Sequence, residues 1–185
     1  MSIKKMFLII YSIMVLALII IAGLVVLIIN NQSALEHSQD IRYKSYLAAD
    51  ELRQSSDDLT RLARTYVVTG DANYEQMYND ILDIRNGKKP RPQNYERIYW
   101  DFVAAGNLKP KPDGETIALQ TIMENLGFTE DEFKLLSQSQ ANSDGLIKTE
   151  VMAMNAIMGK IDADGQKLMK PGETKEEFAR RIMHD

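Results

Sequence analysis

Residues 6–29 read MFLIIYSIMVLALIIIAGLVVLII, without one charged side chain, directly after Lys4 and Lys5. At about 1.5 Å per residue this run makes a helix of about 36 Å, longer than a hydrocarbon core of about 30 Å. A cleaved signal peptide carries a shorter apolar region that ends in a small-residue cleavage site. Here the run passes instead into Asn30, Asn31, Gln32 and Ser33, so it reads as an uncleaved membrane anchor. Lysines precede the span and mixed charge begins after it at Glu36, which places residues 1–5 in the cytoplasm and residues 30–185 outside.

The chain carries a net charge of −4, and setting aside Lys4 and Lys5 leaves the remainder at −6, which argues against nucleic acid as a partner. There is no cysteine, so disulfides and thiolate metal sites are excluded. About 155 residues follow the anchor, enough for one domain with its own core.

Outward from the anchor, small or apolar residues recur at Ile41, Ser45, Ala48, Leu52, Ser55, Leu59, Leu62, Tyr66 and Thr69 in alternating steps of four and three. That is a helical seam suited to close packing. Gly70 supplies a stop and Asp71 a cap for the next helix, so the first helix is expected to run from the membrane to Thr69, roughly 60 Å beyond it. Tyr74, Met77, Tyr78, Ile81 and Ile84 then share one side of a shorter helix that breaks at Asn86-Gly87. Two proline-rich basic segments follow, at 88–92 and 109–114, bracketing the aromatic island Tyr95-Glu96-Arg97-Ile98-Tyr99-Trp100-Asp101-Phe102. They predict a compact excursion at the membrane-distal end.

Helical pattern returns over Glu115–Leu126, stops at Gly127, and resumes behind a Thr129/Glu132 capping box. The seam of this second long helix is Phe133, Leu136, Gln140, Ser143, Ile147, Glu150 or Val151, Met154 and Ile157. Two long helices with matched seams predict an antiparallel pair within an all-α, elongated four-helix-type bundle. Thr174 and Glu177 open a last helix that is expected to continue past Asp185, making the domain C-terminally incomplete.

Enzyme chemistry finds no motif: there is no nucleophile elbow, phosphate loop or dinucleotide fingerprint, and no cofactor is expected. The segment Asp162-Ala163-Asp164-Gly165 with Glu173 has calcium-loop flavour, but Lys167 stands where that loop needs glycine. His37 and His184 lie near opposite ends of the sequence, and Met152, Met154 and Met158 read as packing, so no metal is expected. The candidate ligand residues are Arg61 and Arg64 on the first helix and Tyr95, Tyr99 and Trp100 from the island. In that reading Arg64 faces the bundle interior and holds a carboxylate between aromatic walls. Its counterpart has the arginines pairing with Asp57 and Asp58, and the aromatics forming a small core under the loop. Asn142, Ser143, Asp144 and Asn155 are polar residues on or beside the second seam, placed to fix register or to meet a ligand.

Several segments in order carry a resemblance: Leu62-Ala63-Arg64-Thr65-Tyr66-Val67-Val68-Thr69-Gly70-Asp71, Tyr74-Glu75, Ile84-Arg85-Asn86-Gly87, Pro90-Arg91-Pro92, Tyr95-Glu96-Arg97-Ile98-Tyr99-Trp100-Asp101, Gly127-Phe128-Thr129, Glu132-Phe133, Asn142-Ser143-Asp144 and Ala153-Met154-Asn155-Ala156. The chain resembles the N-terminal sensory region of bacterial methyl-accepting chemotaxis receptors and related sensor kinases and cyclases. The resemblance implies a homodimeric, extracytoplasmic sensor in the bacterial inner membrane that binds a small molecule or a solute-binding protein. It also implies a signal carried by small movements of membrane-spanning helices to an output module, which this chain does not include. The alternatives are the sensor half of a histidine kinase or nucleotide cyclase, and an anchored non-enzymatic interaction protein.

Overall fold

The computed structural model describes residues 3–95, 98–106 and 110–184, apart from the side chains at 34, 137 and 139–144. The expected seam members Gln140 and Ser143, and the polar trio Asn142, Ser143 and Asp144, lie outside the described side chains, as Glu96 and Arg97 lie outside the described residues. The protein is all-α: among the described residues no strand forms, and one isolated antiparallel bridge joins Pro92 and Asp113.

Helix α1 spans Ile3–Thr69. The chain divides into two compact units, Met1–Lys44 and Ser45–Asp185. The first unit is the N-terminal part of α1, whose apolar side chains from Ile3 to Ile29 are exposed within the chain. By length and composition this helix is able to cross a membrane.

The second unit begins within α1 and adds α2 (Ala72–Arg85), α3 (Tyr99–Ala104), α4 (Leu119–Asn125), α5 (Glu130–Ile157), α6 (Ala163–Leu168) and α7 (Lys175–His184). Gly70 takes φ +68°, a left-handed conformation that closes α1, and Asp71 accepts from the Asn73 amide to start α2. Thr129 and Glu132 form the expected reciprocal capping box on α5, and Thr174 with Glu177 forms another at the start of α7. These local signals succeed because each is complete within a few residues.

Leu59, Leu62, Ala63, Tyr66 and Val67 of α1 share one apolar core with Met77, Tyr78, Ile81 and Ile84 of α2. Ala153, Met154 and Ala156 of α5 and Phe178, Ala179 and Met183 of α7 complete its helical walls. A second cluster joins Ala48 and Leu52 to Leu119 and Met123 of α4 and to Phe133 and Leu136 of α5. The seam of α1 is therefore the buried side as far as Tyr66, while Thr69 is exposed. On α5 the open choice resolves to Glu150, which is 3% exposed, while Val151 faces out.

Three expectations need correction. The two long helices run parallel within this unit: the α1 region of Ala48 and Leu52 meets the start of α5, and Thr60 further along α1 meets Glu150 further along α5. The return strokes between them are α2 and the loop, so two long helices of the same sense are what the connections impose.

The proline-rich loop is not at the Thr69 end of α1. Its Arg91 pairs with Glu51, and Tyr95 and Trp100 lie against Ser55 and Asp58. The 14 residues of α2 have by then carried the chain back along α1 by about 21 Å.

The helix expected from Glu115 starts at Leu119. Residues 112–115 instead pair as extended backbone with 91–93: Arg91 N–H donates to Glu115 O at 2.9 Å, and Gln93 N–H to Pro112 O at 3.0 Å. The short α6 was not expected, and Asp162 caps it by accepting from the Gly165 amide at 2.7 Å.

Candidate functional site

The aromatic island folds onto itself. Tyr95, Tyr99 and Trp100 meet edge to face, with ring centroids 5.1–6.3 Å apart, and Trp100 Nε1–H donates to the Tyr95 hydroxyl at 2.8 Å. Tyr95 and Trp100 are buried in the main core and Tyr99 packs against it. Burial pushes the Tyr95 hydroxyl above its ordinary range. Arg91 stacks over the Tyr95 ring at 5.6 Å while paired with Glu51, so this basic residue of the loop ties its neck to α1.

Arg61 pairs with Asp58 at 2.7 Å and approaches Asp101 of α3 at 3.4 Å. Burial pushes the Asp58 carboxyl upward, with Arg61 opposing that shift. The expected interior orientation of Arg64 does not hold. Its side chain is exposed, because Leu62 and Tyr66 on either side of it are buried and a residue two positions from each stands about 200° round the helix. The structure thus brings four of the five candidates to one region, but that region is nearly filled: the gap between Tyr95, Trp100, Glu51, Gln54, Ser55 and Asp58 measures about 10 Å³, on the order of a single water and far too small for a solute.

The space lies elsewhere. A cleft of about 540 Å³ opens where Leu52 of α1, the end of α2, the start of α4 and the first turns of α5 converge. Leu52, Leu119, Met123, Phe133 and Leu136 supply its apolar surface, and Arg85, Lys134, Glu124 and Glu130 its charges. Volumes of about 300–1,000 Å³ are usual for small-molecule sites. Gly87 sets the geometry of one wall. At φ +69° it turns the chain after α2, and a Cβ there would stand 2.6 Å from the Ala118 amide nitrogen.

The charges differ in environment. Arg85 is 8% exposed, whereas Lys134, Glu124 and Glu130 are exposed on the rim. Glu124 already accepts from Gln120 Nε2 at 3.0 Å, and Glu130 occupies the first turn of α5, where a carboxylate favours the helix dipole. Arg85 was within reach of sequence reasoning. It falls four residues after Ile81 and seven after Tyr78, on the buried face of α2, where a charge is out of place.

A second buried polar group sits deeper. Glu150 accepts from Thr60 Oγ1 at 2.7 Å and from the Tyr78 hydroxyl at 3.0 Å, joining α1, α2 and α5 inside the core. Burial, then the neighbouring Glu150, pushes the Tyr78 hydroxyl far above its ordinary value, so it remains a donor. The carboxylates with calcium-loop flavour have structural work: Asp162 caps α6, and Glu173 takes Arg181 at 2.6 Å. Comparison with protein-family models, curated proteins and solved structures finds no match to this chain.

Proposed function

We propose that this chain is the membrane-anchored, ligand-sensing region of a bacterial chemoreceptor, with the cleft beside Arg85 as its ligand site. The observation that carries the reading is the cleft itself: about 540 Å³, lined by both apolar and polar side chains and bordered by the buried Arg85, in a helical unit that follows a long apolar helix. The resemblance to chemotaxis sensory regions includes the segment Ile84-Arg85-Asn86-Gly87, which forms part of that border. In this reading residues 1–5 are cytoplasmic, 6–29 cross the inner membrane, and 30–185 form a periplasmic or extracellular four-helix-type bundle that pairs with a second copy.

The mechanism needs only a modest energy difference. A ligand touching α1, α2, α4 and α5 at once favours one packing of these helices over another, and a differential affinity of about 1–3 kcal/mol shifts the population measurably. The same sensing role serves equally in front of a kinase or cyclase module. Residues 1–184, joined to the second membrane span and signalling module of a chemoreceptor, test the proposal in cells screened against a solute panel. A response to at least one solute is expected, abolished by Gln120→Trp across the cleft mouth. A chimera that signals when locked on by a signalling-module mutation, yet answers no solute, contradicts it.

A further inference from the structure

We infer that the ion pair between Arg91 and Glu51 is a positioning device for the cleft, fixing the wall formed by Asn86, Ala118, Leu119 and Gln120 at its distance from Leu52 on α1. Its use in sensing rests on the cleft being a solute site, as proposed above. The wall belongs to no long helix: Asn86 ends α2, and Ala118 stands before α4, a helix of seven residues. Between them the chain makes its loop, with the paired segments 91–93 and 112–115 at the neck. Arg91 N–H donates to Glu115 O at 2.9 Å, and Gly114 N–H donates to Arg91 O at 2.6 Å. Glycine is needed at 114, because a Cβ would stand 2.7 Å from that same oxygen. The backbone of Arg91 thus ties the segment leaving α2 to the segment entering α4.

Its side chain ties both to α1. The guanidinium meets Glu51, the neighbour of the cleft residue Leu52, and lies over the Tyr95 ring at 5.6 Å. The two paired side chains are 13% and 12% exposed. Burying such a pair is costly, and here the cost is not fully met: among the described residues Arg91 Nε and Nη2 are sealed from solvent without a hydrogen-bond partner. Apolar side chains of similar volume would stabilise the contact at least as well. What they lack is direction, since a charge-assisted bond fixes one relative position whereas apolar contact is non-directional.

The test uses the full chain in nanodiscs, with nitroxide labels on Tyr46→Cys and Gln120→Cys and unlabelled protein in excess. The chain has no cysteine of its own to compete. Gln120 is exposed on the wall, and Tyr46 is exposed on α1, two positions and so about 200° from the buried Ala48. Pulsed dipolar spectroscopy reads the separation, and wild type is expected to give one narrow distance. Arg91→Met/Glu51→Met, which removes both charges together, is expected to melt within a few degrees of wild type yet to show a second, longer distance in about 10% or more of the molecules. Glu51→Gln, which keeps the volume and loses the charge, is expected to shift the same way to a smaller extent. Arg91→Lys keeps the charge and is expected to stay near wild type. Tyr78→Phe, which weakens the core by another route, is expected to keep the narrow distance. A single narrow distance in whichever of the double variant and Glu51→Gln folds would overturn the positioning role, as would an equal second distance in Tyr78→Phe. No solute enters this measurement, so the cell response of the chimera decides the sensing role separately.

Discussion

The Tyr78 hydroxyl on α2 donates to Oε2 of Glu150 on α5 at 3.0 Å, inside the core, while Thr60 of α1 holds the other carboxylate oxygen. A buried carboxylate is tolerated only when its lone pairs are met, so these two hydroxyls fix where α1, α2 and α5 stand relative to one another. Tyr78→Phe should therefore lower stability by about 1–3 kcal/mol, as expected for a hydrogen bond to a buried charge. Thermal melting of the full chain in detergent, with exposed Val151→Ala as a control expected within about 0.5 kcal/mol, checks this. Equal effects of the two substitutions would mean the bond does not hold the helices.

Gly87 and Gly70 both have positive φ, +69° and +68°, but only Gly87 lacks room for a Cβ. Gly70→Ala meets open space and should cost about 1–2 kcal/mol from backbone strain alone. Gly87→Ala adds a clash with the Ala118 backbone and should cost distinctly more, with the cleft wall disturbed. Equal melting shifts for the two variants would contradict the close approach.

Glu173 is held down to about 2 by the Arg181 side chain, assisted by the Lys170 amide. A carboxyl with a depressed folded value stabilises above its ordinary value near 4.5 and loses that contribution as pH falls toward about 2. Wild type should thus melt above Glu173→Gln at pH 6, with the gap closing between pH 4.5 and 2. A gap that stayed constant through that window would rule out the ionised pair as its source.

Among the residues first singled out for ligand binding, Trp100 and Arg64 should behave oppositely. Trp100→Ala removes a buried ring and should cost about 3–5 kcal/mol. Arg64→Ala, on the exposed side of α1, should change stability by less than about 0.5 kcal/mol and leave solute affinity unchanged. Lost affinity in folded Arg64→Ala protein would return the site to that arginine.

Ala48 is 5% exposed against Leu119 and Met123, so its small size is used for packing. Ala48→Leu should destabilise by about 1–3 kcal/mol through overpacking where α1 meets α4. An unchanged melting temperature would show that α1 and α4 are free to separate there.

The parts of this fold legible in the sequence are those whose cause is local. The α1 stop at Gly70-Asp71 and the capping boxes at Thr129 and Thr174 are each settled within four residues, and the long seam of α1 is periodic enough to survive context. The late start of α4 was hidden because residues 112–115 take their conformation from 91–93, about twenty positions away. The cleft was hidden for a similar reason: Leu52, Arg85, Leu119 and Phe133 come from four separate elements and meet only in three dimensions. The aromatic island was conspicuous by composition, yet its rings satisfy one another, leaving no space between them for a solute.

The most direct test of the ligand site, on which the sensing role depends, is thermal melting of the full chain in nanodiscs against a solute library, with Gln120→Trp measured alongside. A true ligand at 100 times its dissociation constant stabilises by about 2.7 kcal/mol. At least one solute should raise the melting temperature of the wild type and leave that of Gln120→Trp unmoved. A library that shifts neither protein, or shifts both alike, would contradict a ligand site in this cleft.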